Sequence, residues 1–131
     1  SNKLSDLWIS KKSRDYELDD IILLKVGRHL RPDQNFKLIV ARDEGETNYL
    51  NGYKSAYDSL TTISHKGPTA LVDGTTSRQQ KLLAAQIVAR YSQGRSANKV
   101  TVKLTNKETA TSEELTVRPF KDQGTLDNWH V

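Results

Sequence analysis

The chain has 131 residues, enough for one domain with a buried core and short of two. Hydrophobic residues make up 35% and charged residues 27%, polar for a globular domain but well away from a disordered composition. The formal charge of +4 decides nothing by itself, whereas the absence of cysteine excludes disulfides, thiolate metal sites, persulfide relays and cysteine nucleophiles from this chain. No apolar run approaches the length of a membrane span or a signal sequence, so the expectation is a soluble, cytoplasmic domain with no membrane partner. Ser1-Asn2 reads as a tag remnant, and residues 1–17 as that remnant plus a helical linker from a removed upstream domain.

Leu4, Leu7 and Trp8 stand at helical spacing ahead of the mixed-charge connector KKSRDYELDD. The apolar run Ile21–Leu24 continues through Val26 into Gly27, Arg28 and His29. Arg31-Pro32-Asp33-Gln34-Asn35 then supplies turn residues, and Phe36, Leu38 and Val40 alternate with their neighbours at a period of two. This predicts a β-hairpin with a five-residue turn, its second strand buried on one face. Counting by twos from Leu24 puts Arg28 in line with the apolar residues, and counting from Phe36 does the same to Arg42. Since a buried unpaired guanidinium is expensive, either Gly27 changes the phase or both strands leave the core there.

Asp43, with Glu46 three residues on, matches a capping box, and Glu46, Tyr49, Leu50, Tyr53 and Tyr57 trace one face of a helix to about residue 57. Gly45 and Gly52 make that helix short or irregular. Leu60–His65 reads as a bridging segment. Thr69–Val72 is a brief strand stopped at Asp73-Gly74. Ser77 and Gln80 form a second capping box ahead of the clearest helix, with Leu83, Ala84, Ile87, Val88 and Tyr91 on one face and Gly94 at its C′ position. Val100, Val102 and Leu104, then Leu115 and Val117, alternate as two strands around a polar, mobile loop, and Pro119 closes the ladder. Residues 121–131 form a tail with a turn at Gly124 and one aromatic, Trp129. The expected class is α+β: a single compact domain over 18–120, with an N-terminal hairpin, a main helix on a mixed or antiparallel sheet, and a C-terminal hairpin.

Five segments in order carry a family likeness: KVGRHLR with KLIVARDEGETN, HKGPTALV at 65–72, KLLAAQIVARYSQGR at 81–95, KVTVKL at 99–104 and ELTVRP at 114–119. Together they resemble the NFACT-R RNA-binding domain, in the short form carried at the C-terminus of bacterial proteins related to tRNA sulfurtransferases. Where the family strand reads GRN, this chain has Ala41-Arg42-Asp43. The resemblance implies an RNA-binding module, for tRNA in particular, that serves a thiouridine-synthase-like parent whose upstream catalytic domain adenylates the uridine and accepts sulfur.

Charge counted by segment agrees. Residues 21–42 hold five basic side chains against one acidic, and 61–103 hold seven against one, while 1–20, 43–60 and 104–131 are each net negative. If the two basic blocks pack together they make one phosphate-binding face. The candidate RNA-binding residues are Lys25, Arg28, His29, Arg31, Arg42, Lys66, Arg78, Lys81, Arg90 and Arg95. Arg78 and Lys81 occupy a helix first turn, where cations are disfavoured unless an anion is being received. With Tyr53, Tyr57 and Tyr91 read as core, recognition is expected through backbone and shape.

His29, His65 and His130 lack any metal-ligand spacing, and no phosphate loop, dinucleotide fingerprint or nucleophile elbow occurs. No catalytic residue, metal or cofactor is therefore expected in this chain. The rival expectation is a protein-interaction module docking a partner subunit or the ribosome through the Tyr49–Tyr57 helix.

Overall fold

Short alternating runs and tight turns assemble a six-stranded antiparallel sheet, described over residues 25–54 and 56–131 of the computed structural model. The strands are β1 (Arg28–Asp33), β2 (Phe36–Val40), β3 (Asp58–Thr62), β4 (Ala70–Gly74), β5 (Val100–Thr105) and β6 (Ser112–Val117). They lie in the order β1-β2-β4-β3-β5-β6. The helices are α1 (Glu44–Asn51), α2 (Arg78–Arg90) and α3 (Gln123–Trp129). The fold is α+β with a hairpin at each end, as the periodicities predict; the connector over 3–20 and the run Ile21–Leu24 lie outside the described residues.

The main core fills the space between α2 and the sheet. Phe36, Leu38 and Val40 meet Ala84, Ala85, Ile87 and Val88, with Val100, Val102, Leu115 and Val117 beyond them. A second, smaller cluster on the opposite face joins Ile39, Ala41 and Leu71 to Leu50 and Tyr57. Strand β2 is therefore buried on both faces, Lys37 included, and not on one as its alternation suggests. Alternation reports only which face is the more apolar.

The first hairpin turns on two residues, Gln34 and Asn35, because Arg31-Pro32-Asp33 belongs to β1 and not to a five-residue turn. A register shift between Leu30 and Asp33 inserts one extra residue in β1. Pro32 is tolerated there because β1 is an edge strand. Both solutions to the arginine phase problem occur, one per strand. Gly27, at φ +78, switches the phase: Val26 packs into the α1-side cluster, whereas Arg28 pairs with Val40 and points to the α2 side. A Cβ on Gly27 would sit 2.8 Å from the Val40 carbonyl oxygen, so a side chain would be obstructed as well as strained. Arg42 instead stands beyond the end of β2, exposed.

Several sequence expectations are corrected. The bridging segment contains β3, which pairs with both β4 and β5; only Leu60 is apolar in DSLTT, so period-two patterning had little to register. Helix α1 ends at the Gly52 C-cap, short of Tyr57. Helix α2 has the full Ser77–Gln80 capping box but ends at Arg90, and Gly94 is no left-handed C′ cap. Gly94 is required by crowding, since a Cβ there would lie 2.7 Å from His65 Cγ and from Val100 Cγ2. The β5–β6 loop is only 106–111; Asn106 Oδ1 accepts from the Glu108 and Thr109 amides within it, and the Lys107 amide donates to Asp58 at the start of β3. The tail forms α3, which buries Leu126 and sets Trp129 5.4 Å from Phe120. Behind it Val131 donates to the His29 carbonyl, covering the outer edge of β1.

Candidate nucleic-acid interface

Antiparallel pairing decides which segments meet. The registers Arg28↔Val40, Val40↔Ala70, Leu60↔Ala70, Thr62↔Val102 and Val100↔Val117 bring one set of strand termini to a single end of the sheet. Helix α2 runs toward that end, and the loops beyond Arg90 and Thr62 interlock there. The Gln93 amide donates to the Lys66 carbonyl at 2.7 Å. A Cβ on Gly67 would lie 2.6 Å from Ser92 Cβ, and Ser92 Oγ binds the Ala89 carbonyl at 2.6 Å and the Gly94 amide at 3.0 Å. Lys66 and Arg95 thus project, exposed, from loops locked against each other.

Lys25, Arg28, Arg42, Lys66, Arg90 and Arg95 belong to this end. Lys25 leads exposed into β1, and Arg90, in the last turn of α2, donates to Gln123 Oε1 at 3.1 Å. The Arg28 guanidinium carbon lies 4.6 Å from the centroid of the Tyr91 ring, a cation–π contact at the end of α2. Burial raises the Tyr91 phenol above its ordinary value; Arg28 opposes that rise and Asp127 adds to it.

Arg42 is bound in a different way. Its Nη2 lies 2.7 Å from Glu46 Oε2 and its Nε 3.0 Å from Oε1. Glu46 also accepts from the Arg42 amide at 2.8 Å and the Gly27 amide at 3.0 Å. Asp43 caps α1 as predicted, accepting from the Glu46 amide, but Glu46 does not close the capping box; it ties the ends of β1 and β2 to the helix start. Led by the Arg42 bond, these contacts hold the Glu46 carboxyl at about 2, and Arg42 is raised in turn.

The other four candidates lie elsewhere. His29 is buried on the α1 side of the sheet and its ring Nε2 contacts the Val26 carbonyl at 3.1 Å. Arg31 donates toward the Gln34 carbonyl, in the turn at the far end. Arg78, at the start of α2, donates from Nη1 to both carboxylate oxygens of Glu113 on β6, at 2.8 and 3.0 Å. Lys81 occupies the same first turn. A helix of thirteen residues separates its ends by about 18–20 Å, so Arg78 and Arg28 do not belong to one face. The first turn of α2 therefore faces a carboxylate on its own sheet.

Two further cations at this end are not among the ten candidates named from the sequence, although Lys99 belongs to the basic block 61–103. Lys99 and Arg118 flank the Val100–Val117 pair and are both exposed. Their signal was available in the strand pattern, since each sits one residue beyond the end where β5 and β6 pair. Among the described residues no group of His, Asp and Glu is arranged to hold a metal, and no helix is long and apolar enough to cross a membrane.

No curated protein matches the chain. A solved structure, the C-terminal region of the fibronectin/fibrinogen-binding protein from Streptococcus suis, shares the fold at a TM-score of 0.67 and 15% identity. The match covers 81% of this chain and 50% of that one, so the chain spans about half the length of that structure. A family model described as the NFACT protein RNA binding domain matches residues 27–130, from the glycine that switches the phase of β1 to the docked tail. The chain belongs to the NFACT RNA-binding domain family.

Proposed function

We propose that this domain holds structured RNA, tRNA foremost, by its phosphates, using the basic end of the sheet formed by Lys25, Arg28, Lys66 and Arg95 with Lys99 and Arg118 at its margin. The observation that carries the reading is the convergence of these cations from separate segments onto one end of a domain in an RNA-binding family. Locked loops favour phosphate and shape recognition, because they present charge without a row of exposed aromatics for stacking bases. The RNA-binding domain is not itself the catalyst. The segments quoted above support a parent protein resembling tRNA thiouridine synthases, with this module retaining the tRNA in the cytoplasm while a domain elsewhere in that protein performs adenylation and sulfur transfer.

The test is a titration of the chain against a tRNA transcript and a scrambled hairpin at several salt concentrations. Log affinity should fall linearly with log salt, by about 0.7–0.9 per phosphate neutralised, with on the order of four to six phosphates engaged. Preference for the tRNA over the hairpin supports the finer reading, and equal binding restricts the function to structured RNA in general. Salt-indifferent or absent RNA binding overturns the proposal in favour of protein docking. The feature that docking would use is Tyr49, 38% exposed on α1, with its ring 5.5 Å from Tyr53.

A further inference from the structure

The arginines differ in what holds them. Arg42 is paired with Glu46, Arg78 with Glu113, and Arg90 donates to Gln123. Arg28 instead, among the described residues, lies over the face of the Tyr91 ring. A carboxylate occupies the N–H edge of a guanidinium, the same edge that would bind phosphate in two-pronged fashion. An aromatic ring holds the flat face and leaves the edge donors available. Both supports of this contact are fixed. Gly27 turns Arg28 toward the α2 side through its left-handed backbone, and Tyr91 follows the last turn of α2, with its amide bonded to the Ile87 and Val88 carbonyls. Asp127 lies near enough to raise the Tyr91 phenol, and Arg28 opposes it.

We infer that Tyr91 is a positioning residue for RNA binding: its ring holds the Arg28 guanidinium by the face, so that the N–H edge meets a phosphate of the RNA backbone. This rests on the proposed function and goes beyond it, assigning a role to a tyrosine that reads as core in the sequence and distinguishing Arg28 from the remaining cations. A site that needed only positive charge would accept lysine at 28. A site that uses a ring-held fork does not, because an ammonium presents no planar edge.

The experiment uses the whole chain and a tRNA transcript, with affinity measured for Arg28→Lys, Arg28→Ala, Tyr91→Phe, Tyr91→Leu and the double variant Arg28→Ala/Tyr91→Leu. Arg95→Glu reports on the basic end independently, and thermal melting identifies variants that have lost their fold. Tyr91→Phe, which keeps the ring face, should bind within about twofold of the parent, whereas Tyr91→Leu and Arg28→Lys should each weaken binding by about fivefold or more. In the Arg28→Ala background Tyr91→Leu should have no further effect, a non-additivity that lost packing alone would not produce. Arg28→Lys binding like the parent, or Tyr91→Leu acting equally with and without Arg28, overturns the positioning role. If Arg95→Glu weakens binding while a folded Tyr91→Leu does not, the basic end stands and this inference falls. If neither Arg95→Glu nor Arg28→Ala changes affinity, the proposed function falls with it. Should Tyr91→Leu fail to fold, the Arg28→Lys and Tyr91→Phe results decide the matter by the same criteria.

Discussion

The two ends of the sheet each hold an arginine beside a helix start, and the two are used differently. Arg42 precedes α1 and grips Glu46, a side chain only 16% exposed that also receives the Gly27 and Arg42 amides. Arg78 opens α2 and meets Glu113 across the molecule, with both side chains open to solvent at 61% and 44%. The first pair joins two strands and a helix; the second links two surfaces that are already held by the core. Similar ion-pair distances therefore do not imply similar contributions: desolvation and the number of backbone donors served decide the difference. The surroundings differ too. Lys25, Arg28, Lys66, Arg95, Lys99 and Arg118 gather at the Arg42 end, whereas Asp33, Asp58, Asp73 and Glu113 occupy the end where α2 begins.

The largest expected effect is shared by both ends. Ile87 is fully buried in the core that joins α2 to the sheet, so Ile87→Ala should cost about 2–5 kcal/mol through transfer and cavity terms in urea denaturation. Gln86→Ala, on a partly exposed position, should be nearly silent. Equal costs would mean that the helix face, and with it the direction of α2 between the ends, is misassigned.

The comparison is sharpest in the carboxylates. Glu46→Gln should cost roughly 1–3 kcal/mol, since a charge-assisted pair and two backbone donors lose their anion. The folded-state value of Glu46, about 2, lies below its ordinary 4.5. Its contribution is therefore complete above about pH 4.5 and lost as pH falls toward 2. The stability difference between the parent and Glu46→Gln should accordingly shrink across that window in denaturation at stepped pH. A gap that stays constant from pH 5 to pH 2 would show that geometry and not charge holds the clamp.

In RNA binding, Lys66→Glu/Arg95→Glu should weaken tRNA affinity by about tenfold or more, roughly 1.4 kcal/mol, and flatten the salt slope by about 2. Arg78→Glu, at the far end and already facing Glu113, should change affinity much less. Equal effects at the two ends would mean that net charge alone attracts RNA. The smallest effect belongs to Glu113→Gln, for which an exposed pair predicts no more than about 1 kcal/mol in the same denaturation assay. A cost matching that of Glu46→Gln would erase the distinction between the pairs.

Much of the fold was legible in the residues. The Ser77–Gln80 box and the apolar stripe through Ile87 and Val88 locate α2, and strict alternation locates β5 and β6, because those signals depend on neighbours a few positions apart. The cationic segments, the lack of thiol chemistry and the family likeness are equally local or compositional. β3 and the docked tail were not legible: DSLTT becomes a central strand only by pairing with β4 and β5, and α3 is held by burying Leu126 and packing Trp129 against Phe120 with tilted rings. The same limit applies to the site. That Arg28 and Arg42 are cations is written in the chain, but which cations share an end follows from antiparallel register, a relation between residues far apart in sequence. Tertiary structure alone placed Arg28 on Tyr91, bound Glu46 to Gly27 and carried Arg78 to the opposite end, because a helix that crosses the sheet separates the charges at its two termini by its own length.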